Sequence, residues 1–195
     1  MNKRFILYLK WAVWVGVAFF SIYPLTNWLT SLRETPLHLY FQQELNIPFL
    51  PQFIWFYLSM YVLFLLPLLF LLAEDMPRLG KSLIVGTLIS GCLFLLFPAV
   101  LGFQRVVPAS SPYQGLFVAI FSIDHPHNLV PSLHIVFSTS IILALVSRVA
   151  WSLRILFISW LIVIMASTMF VHQHHVLDVL VGFVLAIYIH KYFWR

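Results

Sequence analysis

Apolar segments alternate with short polar breaks along the whole chain. They cover residues 5–28, 52–72, 82–101, 131–147, 152–171 and 176–193. A helix needs about 20 predominantly apolar residues to cross a bilayer. The pattern therefore predicts an all-α integral membrane bundle of six transmembrane helices. Two connections are long. Residues 30–51 hold three prolines and Gln42-Gln43-Glu44, and residues 102–130 hold Pro108, Pro112 and Pro126. Within the second, residues 113–123 are apolar but too few to span, so an interfacial or re-entrant piece is expected there.

Composition narrows this further. The 195 residues are 62% hydrophobic and 9% charged, against about 25% charged in soluble domains. Such a chain cannot cover a water-facing surface, and residues 1–195 read as a single membrane-embedded domain with no room for a separate soluble one. The formal charge of +5 is spread singly between spans, which fits topology-setting charges and no nucleic-acid partner. The one cysteine, Cys92, lies in an apolar run and has no internal disulfide partner. The start, Met1 to Arg4 before a long apolar run with no small-residue cleavage site, reads as a retained signal-anchor helix.

With the N-terminus inside, Lys3, Arg4, Arg78, Lys81, Arg148, Arg154, Lys191 and Arg195 fall on the inner side. Only Arg33 and Arg105 fall outside, and Lys10 lies within the first helix, so the positive-inside bias is clear. The histidines sort the other way. His38, His125, His127, His134, His172, His174 and His175 all fall at the outer side, and only His190 is inner. The end of helix three, the start of helix four and the junction of helices five and six thus share one face.

Three groups on that face suit chemistry. Pro131-Ser132-Leu133-His134 opens a helix, with proline where its missing N–H is not needed. The free first-turn N–H groups at Ser132 and Leu133 favour an anion, and the Ser132 hydroxyl adds a donor. His172-Gln-His-His-Val-Leu-Asp178 places His174 and Asp178 four apart, on one helical face. A carboxylate there holds an imidazole in one tautomer. His175, three residues from Asp178, competes for the same carboxylate, and spacing does not choose between the two histidines. Arg105 offers a planar fork that matches phosphate oxygens. The set suits two-step phosphoryl transfer. His174 attacks phosphorus, His134 protonates the departing alcohol, and His134 then acts as base toward water or another alcohol. Arg105 and the helix N–H groups stabilise the equatorial oxygens.

These motifs resemble the type 2 phosphatidic acid phosphatase superfamily, and most closely its branch with inositol phosphorylceramide synthases. That branch has Pro-Ser-Leu-His at the position of Pro131 to His134. Its third motif places a Ser-Arg pair five residues before a histidine that precedes an aspartate by four. Ser167-Thr168, His174 and Asp178 stand at that spacing, which favours His174 as nucleophile. Asp124-His-Pro-His-Asn128 and Asp178-Val-Leu-Val-Gly182 also look like this branch. The resemblance covers roughly residues 97–182. It implies a membrane lipid phosphatase or phosphotransferase that acts on a lipid phosphate without cofactor or metal. It also implies a bacterial inner membrane, with both termini cytoplasmic and the site on the outer face. The chain departs from the pattern in two motifs. Arg105 fits the first-motif arginine, but Pro98 stands at the lysine position and Val106 at the proline, and Thr168 replaces the third-motif arginine. Thr168 would meet the phosphate in its place, and His172, His125 or His127 would supply the missing positive charge. Two other functions fit the residues: a histidine-rich metal-binding membrane protein or transporter, and a family member that has lost catalysis.

Overall fold

The computed structural model describes residues 3–124 and 126–195. His125, one of the expected outer-face histidines, lies outside the described residues, as do Met1 and Asn2. Among the described residues the regular structure is helical, apart from one isolated bridge between Leu37 and Ala99. The helices are α1 (Lys3–Ser31), α2 (Ile54–Leu58), α3 (Met60–Leu63), α4 (Pro67–Phe70), α5 (Asp75–Leu96), α6 (Gln114–Ile123), α7 (Leu133–Val146), α8 (Trp151–Phe170) and α9 (Val176–Phe193). Four of them, α1, α5, α8 and α9, are long and apolar enough to cross a membrane.

The second apolar segment, expected as one helix over 52–72, is broken into α2, α3 and α4. Pro67 offers no N–H to the carbonyl of Leu63, and its ring crowds that carbonyl. The backbone responds with tighter bonds. The N–H groups of Leu65, Leu66 and Leu68 donate to carbonyls three residues back, at 3.0, 3.2 and 3.1 Å. Ser59 marks the other break, where its hydroxyl donates to the Phe56 carbonyl at 2.6 Å and competes with the helix ladder. The third helix, expected to reach residue 101, ends at Leu96 because Pro98 disfavours helical geometry at Phe97. The carbonyl released at Pro98 accepts the N–H of Leu37 at 2.7 Å, and Val100 N–H donates to the Leu37 carbonyl at 3.0 Å. The 32–50 connection is thereby tied to the end of α5.

Helix α7 is only 14 residues long, and nearly every one is buried. It packs against α5, α8 and α9, which is why it is apolar on all sides. Ile135, Ile141, Leu145 and Ile164 are core residues here. Helix α1 lies along α5. Phe20, Leu69, Ile162 and Tyr188 stand exposed on the outside of the bundle, in keeping with a hydrocarbon rather than an aqueous surround.

The two ends of the bundle differ in chemistry. At the end where α5 begins and α7 stops, the fully buried Asp75 carboxylate is held by Arg148, whose Nε and Nη2 donate at 2.9 and 2.7 Å. Arg78 reaches the same carboxylate at 3.4 Å. At the other end, the start of α7 and the turn between α8 and α9 bring the histidines together.

Candidate functional site

The turn from α8 into α9 aims the main group. Gln173 N–H donates to the Thr168 carbonyl at 2.9 Å, and His172 N–H donates to the Met169 carbonyl at 2.9 Å. This is the bond pair of a helix stop that needs one left-handed residue, usually glycine. His172 fills that place with φ 54°. The strain, about 1–2 kcal/mol for a residue with a Cβ, is offset by its surroundings. Nε2 donates to the Ile47 carbonyl at 2.9 Å, and the ring stacks on Phe103 with centroids 4.1 Å apart. Burial lowers the pKa of His172, outweighing the carbonyls of Ile47 and Gln104 that raise it. Thr168 donates its hydroxyl to the Met165 carbonyl at 2.8 Å, while its own carbonyl also accepts the His174 N–H at 3.2 Å. Thr168 and His172, expected at the phosphate, are thus occupied within the fold, where they build the turn that presents His174.

His174 and Asp178 are both buried, and Nδ1 of the histidine lies 3.2 Å from Oδ2 of the aspartate. A carboxylate only accepts, so Nδ1 carries the proton and Nε2 keeps its lone pair. The same Oδ2 accepts the His175 N–H at 2.9 Å. His134 meets this pair from α7, with the two imidazole centroids 5.9 Å apart. The approach depends on Gly182, where a Cβ would stand 2.8 Å from the Ser132 carbonyl oxygen. Ser132 N–H donates to the Asp178 carbonyl at 3.0 Å, so the start of α7 is bonded directly to the first turn of α9. That uses the Ser132 N–H within the fold. The first-turn N–H groups of Leu133 and His134 have no partner inside a helix, and Leu133 itself is buried.

His175, the rival for Asp178, belongs to another partner. Gly102 N–H donates to its Nε2 at 3.0 Å, so its proton sits on Nδ1 and goes to Glu44 Oε2 at 3.1 Å. The ring is sandwiched between Tyr40 and Phe103, at 4.5 and 4.4 Å. Burial lowers its pKa, with Asp178 and Glu44 opposing. Glu44 also accepts the N–H of Val176 at 2.9 Å and that of Phe41 at 3.2 Å. The carboxylate therefore pins the 32–50 connection over the site. Replacing Glu44 by alanine removes the acceptor of one buried donor, His175 Nδ1, at about 1–3 kcal/mol, and of the partly buried N–H groups of Val176 and Phe41. The expected result is a melting temperature in detergent lowered by several degrees; an unchanged melt would refute this role for Glu44.

Arg105 reaches in from the 102–113 connection. Its Nη1 donates to the Asp124 carbonyl, Nη2 donates to Gln173 Oε1 at 3.2 Å, and the guanidinium lies 5.0 Å above the Phe121 ring of α6. Burial lowers its pKa, with Asp124 as the main opposing charge. The Asp124 carboxylate accepts from the hydroxyls of Tyr23 and Tyr57, the latter at 3.5 Å. The Tyr57 ring lies 4.5 Å from that of His134. Three buried polar atoms around this site have no hydrogen-bond partner among the described residues: Arg105 Nε, Ser132 Oγ and His134 Nε2. Two are donors and the third is an imidazole nitrogen, a set suited to an oxyanion.

Sequence reasoning missed Glu44, Gln173, Tyr23 and Tyr57, and took Asp124 only as context. An acidic residue beside an apolar run was the available signal for Glu44 and Asp124. His38 lies by the Tyr40 hydroxyl, 3.2 Å away. Among the described residues, no three His, Cys, Asp or Glu side chains are grouped to hold a metal ion. In comparisons with known proteins, no family model, no curated protein and no solved structure matches the chain.

Proposed function

We propose that the protein is a membrane lipid phosphatase or phosphotransferase that works through a phosphohistidine at His174. The observation that carries this is the meeting of His134 with the His174–Asp178 pair. The nucleophile's Nε2 lone pair is directed by a carboxylate on its other nitrogen, and a second imidazole stands one small group away. In the first step Nε2 bonds to phosphorus while the bond from phosphorus to the alcohol oxygen breaks, and His134 gives that oxygen a proton. In the second step water or an alcohol attacks phosphorus, His134 takes its proton, and the phosphorus–nitrogen bond breaks. Arg105 and the first-turn N–H groups of Leu133 and His134 bear the charge on the non-bridging oxygens. The resemblance to type 2 phosphatidic acid phosphatases, carried by residues 131–134 and 174–178, points to the same chemistry.

The fold completes as six spans when the broken α2–α4 segment and the short α7 are counted with the four long helices. Leu63 of the broken segment and Val136, Ile141 and Leu145 of α7 belong to the apolar core of the bundle. The Asp75–Arg148 end, with Lys3, Arg78 and Lys81, then faces the cytoplasm, and the histidine site faces out. Lipid phosphates reach the site from the membrane, with their head groups at the outer boundary.

Vanadate tests the chemistry. It mimics the five-coordinate phosphorus that His174 would form, so phosphate release from lipid monophosphates should stop at saturating vanadate with no metal added. Undiminished release would count against a phosphohistidine. Loss of the two cations common in the family leaves Arg105 as the main guanidinium, so a protein that releases no phosphate from polyprenyl, glycerol or sphingoid donors would be read as a catalytically inactive relative.

A further inference from the structure

A cavity of about 580 Å³ runs between α1, the α2–α4 segment, α5 and α7. His134, Asp124, Tyr23 and Tyr57 stand at its site end, and Trp11, Met76 and Gly80 at the far end. Among the described residues, Asp124 and His134 are the only acidic or basic side chains in its walls. The rest is apolar or aromatic. The cavity therefore has the polarity of an amphiphile, with a polar head at one end and hydrocarbon along its length. His134, the proposed acid toward the leaving alcohol, forms its wall, and His174 does not. A molecule seated here presents its alcohol oxygen to His134 with phosphorus beyond it, toward His174.

Toward the far end α1 packs directly on α5 and is tied to the segment before α4. The Trp11 ring lies on Gly80 so tightly that a Cβ there would come within 2.4 Å of it. Tyr8 donates its hydroxyl to the Phe64 carbonyl at 3.0 Å, which ties α1 to the break before α4. Trp11 and Tyr23 stand twelve residues apart on α1, about 18 Å at the helical rise. Gly16 lies between them in the cavity wall, and a Cβ on it would meet nothing within 4 Å.

We propose that this cavity is a length gauge for the apolar tail of the substrate. It rests on the lipid phosphate reading above for the head group alone. The tail lies along α1 from Tyr23 toward Trp11, and the packing of Trp11 on Gly80 narrows the cavity there and sets the longest chain that fits. A large side chain at Gly16 would project into the open space and shorten the gauge without a clash.

The test uses the full chain in lipid nanodiscs and two ligand series, n-alkyl phosphonates and n-alkanols from four to sixteen carbons. Calorimetry gives the affinity ratio of wild type to Gly16→Phe at each length; comparing proteins in the same bilayer cancels partitioning into lipid. The ratio should be near one for butyl phosphonate. It should rise severalfold for the longest chains, because the new side chain excludes their outer methylenes from the cavity and forfeits the packing contacts they make there. Gly16→Leu should give a smaller change in the same direction, and Trp11→Ala should extend the length that still gains affinity. A ratio that stays flat from four to sixteen carbons overturns the gauge. Should both series break at the same length, with phosphonates no tighter than alkanols, the gauge stands and the phosphate reading of the head-group site falls.

Discussion

Alanine at position 174 should abolish phosphate release, by about 10⁴-fold or more, while leaving the protein folded. A covalent mechanism with no nucleophile retains only what binding and electrostatics supply, and losses of this order or larger follow removal of an enzymic nucleophile. Folding should survive because the neighbouring bonds do not depend on the ring. Asp178 still accepts the His175 N–H, Ser132 still bonds to the Asp178 carbonyl, and His175 keeps Glu44. Circular dichroism and a thermal melt would check the fold, and phosphate release from a lipid monophosphate would check the activity. Retained turnover in a folded variant would remove His174 from the chemistry. The same experiment on His175 separates the two histidines: its ring is engaged at both nitrogens, so its loss should act through stability.

The second large effect is expected at Asp178. Asparagine there can keep an oxygen where Oδ2 now accepts from both His174 and His175. Shape and bonding are then conserved and only the charge is lost. A buried carboxylate stabilises the positive charge that builds on the imidazole as it bonds to phosphorus, and it fixes the tautomer that leaves Nε2 free. An amide does the first poorly and can invert the second by turning its NH₂ toward Nδ1. Turnover should fall by about 10²–10⁴-fold, in line with the asparagine substitution at the corresponding place in serine protease triads. Binding of a lipid phosphonate should change little. A variant with wild-type turnover would contradict the assigned role, and one that loses turnover and phosphonate binding together would make Asp178 a scaffold of the pocket.

Local pattern and spacing carried the sequence reading where they alone decide the structure. The last helix runs over residues 176–193 as expected, because an apolar run bounded by a polar junction leaves little choice of where to begin. His174 meets Asp178 as expected, but not from a shared helical face: His174 lies in the turn before α9, and the Asp178 carboxylate reaches back to it from that helix's first turn. Other features depended on atoms remote in sequence. The choice between His174 and His175 is made by Glu44, 131 positions before His175. The roles of Thr168 and His172 come from a left-handed turn that a sequence without glycine does not announce. The second apolar segment has the composition of a spanning helix, but Pro67 and Ser59 break it. Asp124 gains its place beside His134 only because α1 and α2 bring Tyr23 and Tyr57 to it.

Covalent attachment of phosphorus to one imidazole is the central claim, and trapping that species tests it most directly. The purified protein would be mixed with a lipid monophosphate, quenched in base within milliseconds to seconds and digested for mass spectrometry. The expected product is a phosphoryl group on His174 that is stable in base, released by acid, and absent from the His174→Ala variant. An active protein that carries no phosphoryl group, or carries it on another residue, would contradict the mechanism.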